Sequence, residues 1–212
     1  MGHAGRHAGR DRPGTDAVVS AAGAAGTLTV TVTQLEMTAR PARPAPPPPL
    51  ARHLLMRAEP ATVSFYRYLY DTIGANWLWT DRREWDDERL AVRLNDERTG
   101  VYVLYVAGVP AGYGELFQES VEVTDLAYFG LMPDFIGRRL GPFLLWSMID
   151  LAWARPIRRM TVDTCTLDHP KALAHYQRAG FIPYAQRVVH KADPRLTGLL
   201  PRTAAPHIPL AG

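Results

Sequence analysis

The chain has 212 residues, 24 Lys plus Arg against 21 Asp plus Glu, and a formal net charge of +3 at pH 7. Apolar residues make up 47% and charged residues 21%, the balance of one globular domain with a tail to spare. The best apolar runs are interrupted by Arg or Asp short of a membrane span, and the single Cys165 excludes a disulfide framework and a cysteine-rich zinc module.

Lys171 and Lys191 are the only lysines, so the basic character is almost all arginine, scattered and interleaved with acids. No basic helix or aromatic-basic array accompanies it, so neither nucleic acid nor a membrane is expected as a partner. Residues 1–26, Gly-, Ala- and Arg-rich without periodicity, read as a disordered tail rather than a secretory signal, and a cytoplasmic protein is expected. Residues 27–52 read as a strand plus a proline-rich connector. TLTVTVTQLEM alternates apolar and β-branched polar residues, and 41–50 holds six prolines in ten positions. A main domain over 53–192 and a C-terminal tail over 193–212 complete the chain.

Within that domain a helix starts after Pro60, with an apolar face from Val63 to Ile73 and a stop at Gly74. The loop NWLWTDRREW and a helix at 85–95 follow. VYVLYVA, AGYGELFQ and VEVTDLAYFGL read as three strands of an antiparallel meander. PDFIGRRLG (133–141) turns into a helix at 142–154, then come a strand at 160–166, a helix at 170–179 and a strand at 181–190. The helix between the strands at 121–131 and 160–166 implies a parallel crossover. The fold class is therefore mixed α/β, a mostly antiparallel sheet with one parallel pair around the loop, flanked by helices.

That loop is the first candidate site. A strand entering a glycine-bearing turn that opens a helix presents backbone N–H groups to an anion, and Arg138 and Arg139 stand within the turn. A pyrophosphate suits such a place. Solvated arginines on a plain connection are the competing reading.

Two segments together resemble the GNAT acetyltransferases. The loop of that family is usually Q/R-x-x-G-x-G/A; here Ile136 and Arg139 depart from the first two signature positions and Gly141 fits the third. Pro133, Phe135, Gly137 and Leu140 match the surrounding frame. Downstream, His169 to Phe181 is similar to N-x-x-A-x-x-x-Y-x-x-x-G-F, with His169 for Asn and with Ala172, Tyr176, Gly180 and Phe181 in place. The resemblance covers about 55–190. It implies a GNAT-like fold and acetyl transfer from acetyl-CoA, as co-substrate and without a metal, to a small-molecule or peptide amine by direct attack. It also implies the cofactor-binding set: Phe129, Gly130 and Leu131 at the strand end, Gly137, Arg138, Arg139, Leu140, Gly141 and Pro142 in the loop, and His169. A backbone N–H near Leu131 would polarise the carbonyl. Tyr176 matches the family's acid for the leaving thiolate.

For the base, Asp125 looks like the counterpart of a strand glutamate in the histone-acetylating branch, with Glu115 and Glu122 in reserve. Strict alternation places Asp125 on the face of Val121, Val123, Ala127, Phe129 and Leu131. Thr164 stands where many relatives carry a glutamate. Trp77, Trp79 and Arg82 are candidates for acceptor recognition, and Cys165 reads as a buried strand residue, with an acetyl-cysteine intermediate as the alternative. A non-catalytic acyl-CoA-binding module is the second reading of the chain, and a homodimer is left open.

Overall fold

The computed structural model describes residues 25–212; the tail expected over 1–26 falls almost wholly outside them. Seven strands form one sheet in the order β2-β3-β4-β5-β6-β1-β7. They are β1 Thr27–Met37, β2 His53–Arg57, β3 Thr99–Val106, β4 Val109–Ser120, β5 Val123–Leu131, β6 Arg159–Cys165 and β7 Ile182–Ala192. Every neighbouring pair is antiparallel except β5–β6, which is parallel. The helices are α1 Val63–Gly74, α2 Asp87–Leu94, α3 Leu140–Trp153 and α4 Ala172–Ala179.

Side-chain caps fix two helix starts. Thr62 accepts from the Phe65 N–H and Asp86 from the Arg89 N–H, each satisfying an otherwise orphaned donor. Tyr66, Leu69, Tyr70 and Ile73 of α1 and Leu90 and Leu94 of α2 pack with Val101, Val103, Tyr113 and Tyr128 on the front of β3–β5. On the back, Leu144, Leu145, Met148 and Ile149 of α3 and Tyr176 of α4 pack against Leu35, Leu104, Leu126 and Val162.

β1, which the sequence places ahead of the domain, lies inside the sheet between β6 and β7. It is buried on both faces, Val30 toward the front and Leu35 and Met37 toward the back. The chain must then cross five strand spacings to β2, about 24 Å at about 4.8 Å each. The proline-rich connector does this: ten residues in an extended polyproline geometry reach about 31 Å. It runs along the outer face of α3, where Arg40 donates to Asp150 at 2.8 Å, Arg43 lies 5.6 Å over Trp146 and His53 meets Phe143 at 5.0 Å. That cover explains why α3 is apolar nearly all round.

β2 itself has no clear signal in the sequence, being a short edge strand with alternate residues exposed. The segment 193–212, expected as a tail, is packed. Arg195 is 3% exposed, pairs with Asp193 at 2.7 Å and donates to the carbonyls of Ala204, Ala205, Ile208 and Pro209. Leu200 and Ala205 join Val30, Leu78 and Leu167 in a third apolar cluster over the front of β6, β1 and β7. Among the described residues no helix is long and apolar enough to cross a membrane.

Candidate functional site

β5 and β6 pair only through Val123–Arg159, Thr124–Met160 and Asp125–Thr161. Beyond that rung β5 continues to Leu131 and β6 to Cys165, each held on its far side, by β4 and β1 respectively. Between them the sheet is open. Along this opening β5 also carries a bulge: Glu115 faces Tyr128 and Leu116 faces Leu126, leaving Ala127 as the extra residue. Leu126 and Phe129 therefore both pack toward the back, while Ala127 and Tyr128 pack toward the front. Strict alternation fails here. Asp125 lies on the face opposite Phe129 and Leu131, a correction to the sequence expectation.

At the mouth of the opening Gly130 lies beneath Ile73 and Trp79; a Cβ there would collide with Ile73 and touch the Trp79 ring at 3.5 Å. A short turn, Pro133–Phe135, then leads through Gly137 (φ 82) and Arg139 (φ 61) into α3. Arg139, in the position where the resemblance expects glycine, holds the left-handed backbone that favours glycine. Arg139 provides no side-chain cap, so the first N–H groups of α3, at Leu140 and Gly141, remain available to an external acceptor. Pro142, without an N–H, sits in that first turn. Arg138 lies exposed, 4.9 Å over the Phe135 ring.

Tyr176 closes the back of the opening, its ring 6.3 Å from Phe129 and 5.9 Å from Phe181. Burial, then the charges of Asp168 and Asp125, push its hydroxyl above the usual tyrosine range, and no hydrogen bond from the described residues engages it. A neutral tyrosine with an unengaged hydroxyl can give a proton to a thiolate. His169 meets Trp77 edge-on at 5.5 Å and accepts from the Lys171 N–H, while His207 covers another side of Trp77 at 5.3 Å.

The carboxylates separate sharply. Asp125, 9% exposed, accepts from Thr161 at 2.6 Å on the last closed rung. Glu115, fully buried, accepts from Tyr66 and from Arg82 at 3.0 Å, with Arg93 at 3.5 Å, and so anchors α1 and the following loop to β4. Arg82 is 3% exposed and stacked 3.9 Å over Trp85, so its guanidinium serves this network rather than an acceptor. Glu122 is at the far end of the strand, paired with Arg158 at 3.1 Å.

Sequence reasoning missed Asp168. It follows β6, and its Oδ2 accepts from Thr164 Oγ1 and the Cys165 N–H, both at 2.8 Å. Burial raises its pKa, opposed by those bonds and by the Trp79 indole N–H. The one available signal was a carboxylate four residues beyond Thr164. Burial first, then Asp168, push the Cys165 thiol up to about 12, which disfavours the thiolate that an acetyl-cysteine intermediate needs. Among the described residues no group of three or more His, Cys, Asp or Glu is placed to hold a metal.

Comparison with known proteins agrees with this geometry. The sequence model of the Acetyltransferase (GNAT) family matches residues 64–181, more than half of the chain. No curated protein matches significantly. In fold, the chain is similar to a GCN5-related N-acetyltransferase from Kribbella flavida, at 16% identity and a TM-score of 0.54, over 82% of this chain and 63% of that one. It is also similar to one from Sphaerobacter thermophilus, at 17% identity and a TM-score of 0.59, over 76% of this chain and 51% of that one. The chain thus spans less than two thirds of the length of either structure. Its parallel pair opens beside an uncapped helix within a stretch that the family model matches throughout, and the chain belongs to the GNAT acetyltransferase family.

Proposed function

We propose that the protein transfers an acetyl group from acetyl-CoA to a primary amine by direct attack within a ternary complex. The observation that carries this reading is the opening between β5 and β6, which ends at the uncapped start of α3 beside Arg138 and Arg139. A pyrophosphate fits the N–H groups of Leu140 and Gly141 and the two guanidinium groups. An extended pantetheine arm fits the opening, where β5 has unpaired backbone for an amide-rich chain. The Ala127 bulge and the strand end at Phe129–Leu131 are where a backbone N–H would polarise the thioester carbonyl.

Tyr176 then protonates the departing thiolate. An alkylammonium titrates near about 10.4 and a thiol near about 8.5, so both partners need proton transfer at neutral pH. The single thiol fits a reducing, cytoplasmic compartment. Calorimetry with CoA and with pantetheine tests the cofactor assignment. CoA should bind at least tenfold tighter, roughly the worth of one charge-assisted contact; equal affinity for the two would refute the pyrophosphate site.

A further inference from the structure

Resting on that reading, we propose that Asp168 receives the acceptor as an ammonium and takes its proton, which makes the acceptor a cationic primary amine. Asp168 is a carboxylate beside the open stretch, and Asp81, the other one near it, accepts from Tyr128 at 3.3 Å and has Lys191 at 3.9 Å. Asp125 lies on the closed rung with Thr161, Glu115 is held by Arg82, Arg93 and Tyr66, and Glu122 is paired with Arg158 at the opposite strand end. By contrast, Asp168 follows the free end of β6. Trp79 spans the opening, its ring over Gly130 at the end of β5 and its N–H directed to the Asp168 carboxyl. The thioester carbonyl proposed for the end of β5 and this carboxyl therefore share one indole neighbour.

The bonding of Asp168 suits such a role. Thr164 and Cys165 both donate to Oδ2, which fixes the carboxyl plane. The donors that engage the carboxyl, Thr164, Cys165 and the Trp79 indole, are all neutral. An ammonium supplies the positive partner that these neutral donors do not. Burial without a guanidinium or lysine partner raises the carboxyl's pKa toward the range of a working base, the direction opposite to that of Asp193 beside Arg195. The titratable groups around it are the Cys165 thiol and the Tyr176 hydroxyl, both kept neutral by burial. His169 is next in the chain, and Lys191 is 3.9 Å from Asp81.

The step balances as follows. The ammonium gives one proton to Asp168, and the neutral nitrogen attacks the thioester carbon. The C–N bond forms as the C–S bond breaks. The nitrogen's second proton leaves to solvent, and the thiolate takes the Tyr176 proton, which solvent restores. Asp168 returns its proton to solvent, so the products are an amide, the CoA thiol and one proton net.

The test follows thiol release from acetyl-CoA with n-butylamine, spermidine and dialanine, the fastest amine being carried from about pH 6 to about pH 10. Asp168→Asn should bind CoA like the wild type yet lose about 10²-fold or more in kcat/KM near neutrality. Because the carboxylate is needed ionised and the free amine accumulates as pH rises, the deficit should shrink at high pH. Asp168→Ser, which also lacks a titrating carboxyl, serves if the Asn variant does not fold. A variant profile parallel to the wild type, with CoA affinity kept, overturns the role of Asp168 and leaves acetyl transfer standing. A wild type that neither binds CoA nor releases thiol overturns both.

Discussion

Arg139 holds two opposing demands, and replacing it by glycine separates them. Its φ of 61 places a side chain in the left-handed region, at a cost of about 1–2 kcal/mol for an L-residue. Glycine removes that strain but loses about 0.5–1 kcal/mol more entropy on folding, so Arg139→Gly should stabilise the protein by roughly 0.5–1 kcal/mol. For a chain of this size that is a rise of about 1–4 °C in Tm. The same change removes one of the two guanidinium groups beside the α3 terminus. Since Arg139 is exposed, the lost contact with a phosphate is worth about 1 kcal/mol, about fivefold in the Kd for CoA. Arg139→Asn tolerates the left-handed backbone and also lacks the charge, so it should bind CoA as weakly as the glycine variant. Calorimetry and thermal melts on the three proteins decide. A raised Tm with unchanged CoA affinity would refute the phosphate role, and an unchanged Tm would refute the strain argument.

The remaining predictions concern the acid and the C-terminal segment. Tyr176→Phe should lower kcat by roughly 10²–10⁴-fold while leaving CoA affinity within about twofold; full turnover in the Phe variant would return Tyr176 to packing alone. Arg195→Met leaves Asp193 buried without its partner and should destabilise by about 3–5 kcal/mol, seen as a lower urea midpoint. Adding Asp193→Asn should recover part of that loss. The Asp193 carboxyl is held below its usual range by Arg195. Its stabilisation is therefore complete above the unfolded carboxyl pKa, about 3.9, and disappears as pH falls through the lower folded value. A wild-type urea midpoint that falls no faster below that pH than the double variant's would contradict this.

Most of the sheet and the helices α1, α2 and α4 were legible through their own periodicity or caps, and α3 through the glycine-bearing turn that opens it. The limits lie where tertiary contacts decide. β1 carries a clear strand pattern, but nothing local says that it inserts between β6 and β7. β2 is a five-residue edge with two exposed large apolar side chains, Leu54 and Met56, so alternation gives it away poorly. The packed course of 193–212 depends on a single buried arginine gathering carbonyls that have no pattern in sequence. In the site, Tyr176 was singled out by the resemblance of His169–Phe181 to a family segment, and the 137–142 turn by its glycines and arginines ahead of a helix. Asp125 was singled out by an alternation that the Ala127 bulge interrupts, and bulges leave no signature in a string of residues. Asp168 was passed over because a carboxylate in a loop is ordinary until Trp79 and Gly130 are seen across from it.

The opening between β5 and β6 persists only because each strand is satisfied elsewhere. β5 runs its full length against β4, and β6 pairs with β1 from Met160 to Cys165. Two bare strand edges so close would otherwise pair, as edges with free N–H and C=O groups do. β1 in turn is fixed from its far side by β7, from Thr27–Ala192 to Glu36–Ile182, and by burial on both faces. The strand that the sequence sets apart from the domain is thus what holds β6 at its distance. The polyproline strap that follows it then braces α3, the helix whose first turn meets the 137–141 loop. Segments outside the recognisable family stretch of 64–181 therefore fix one wall of the opening and brace the helix at its mouth, although they contribute no residue to the proposed chemistry.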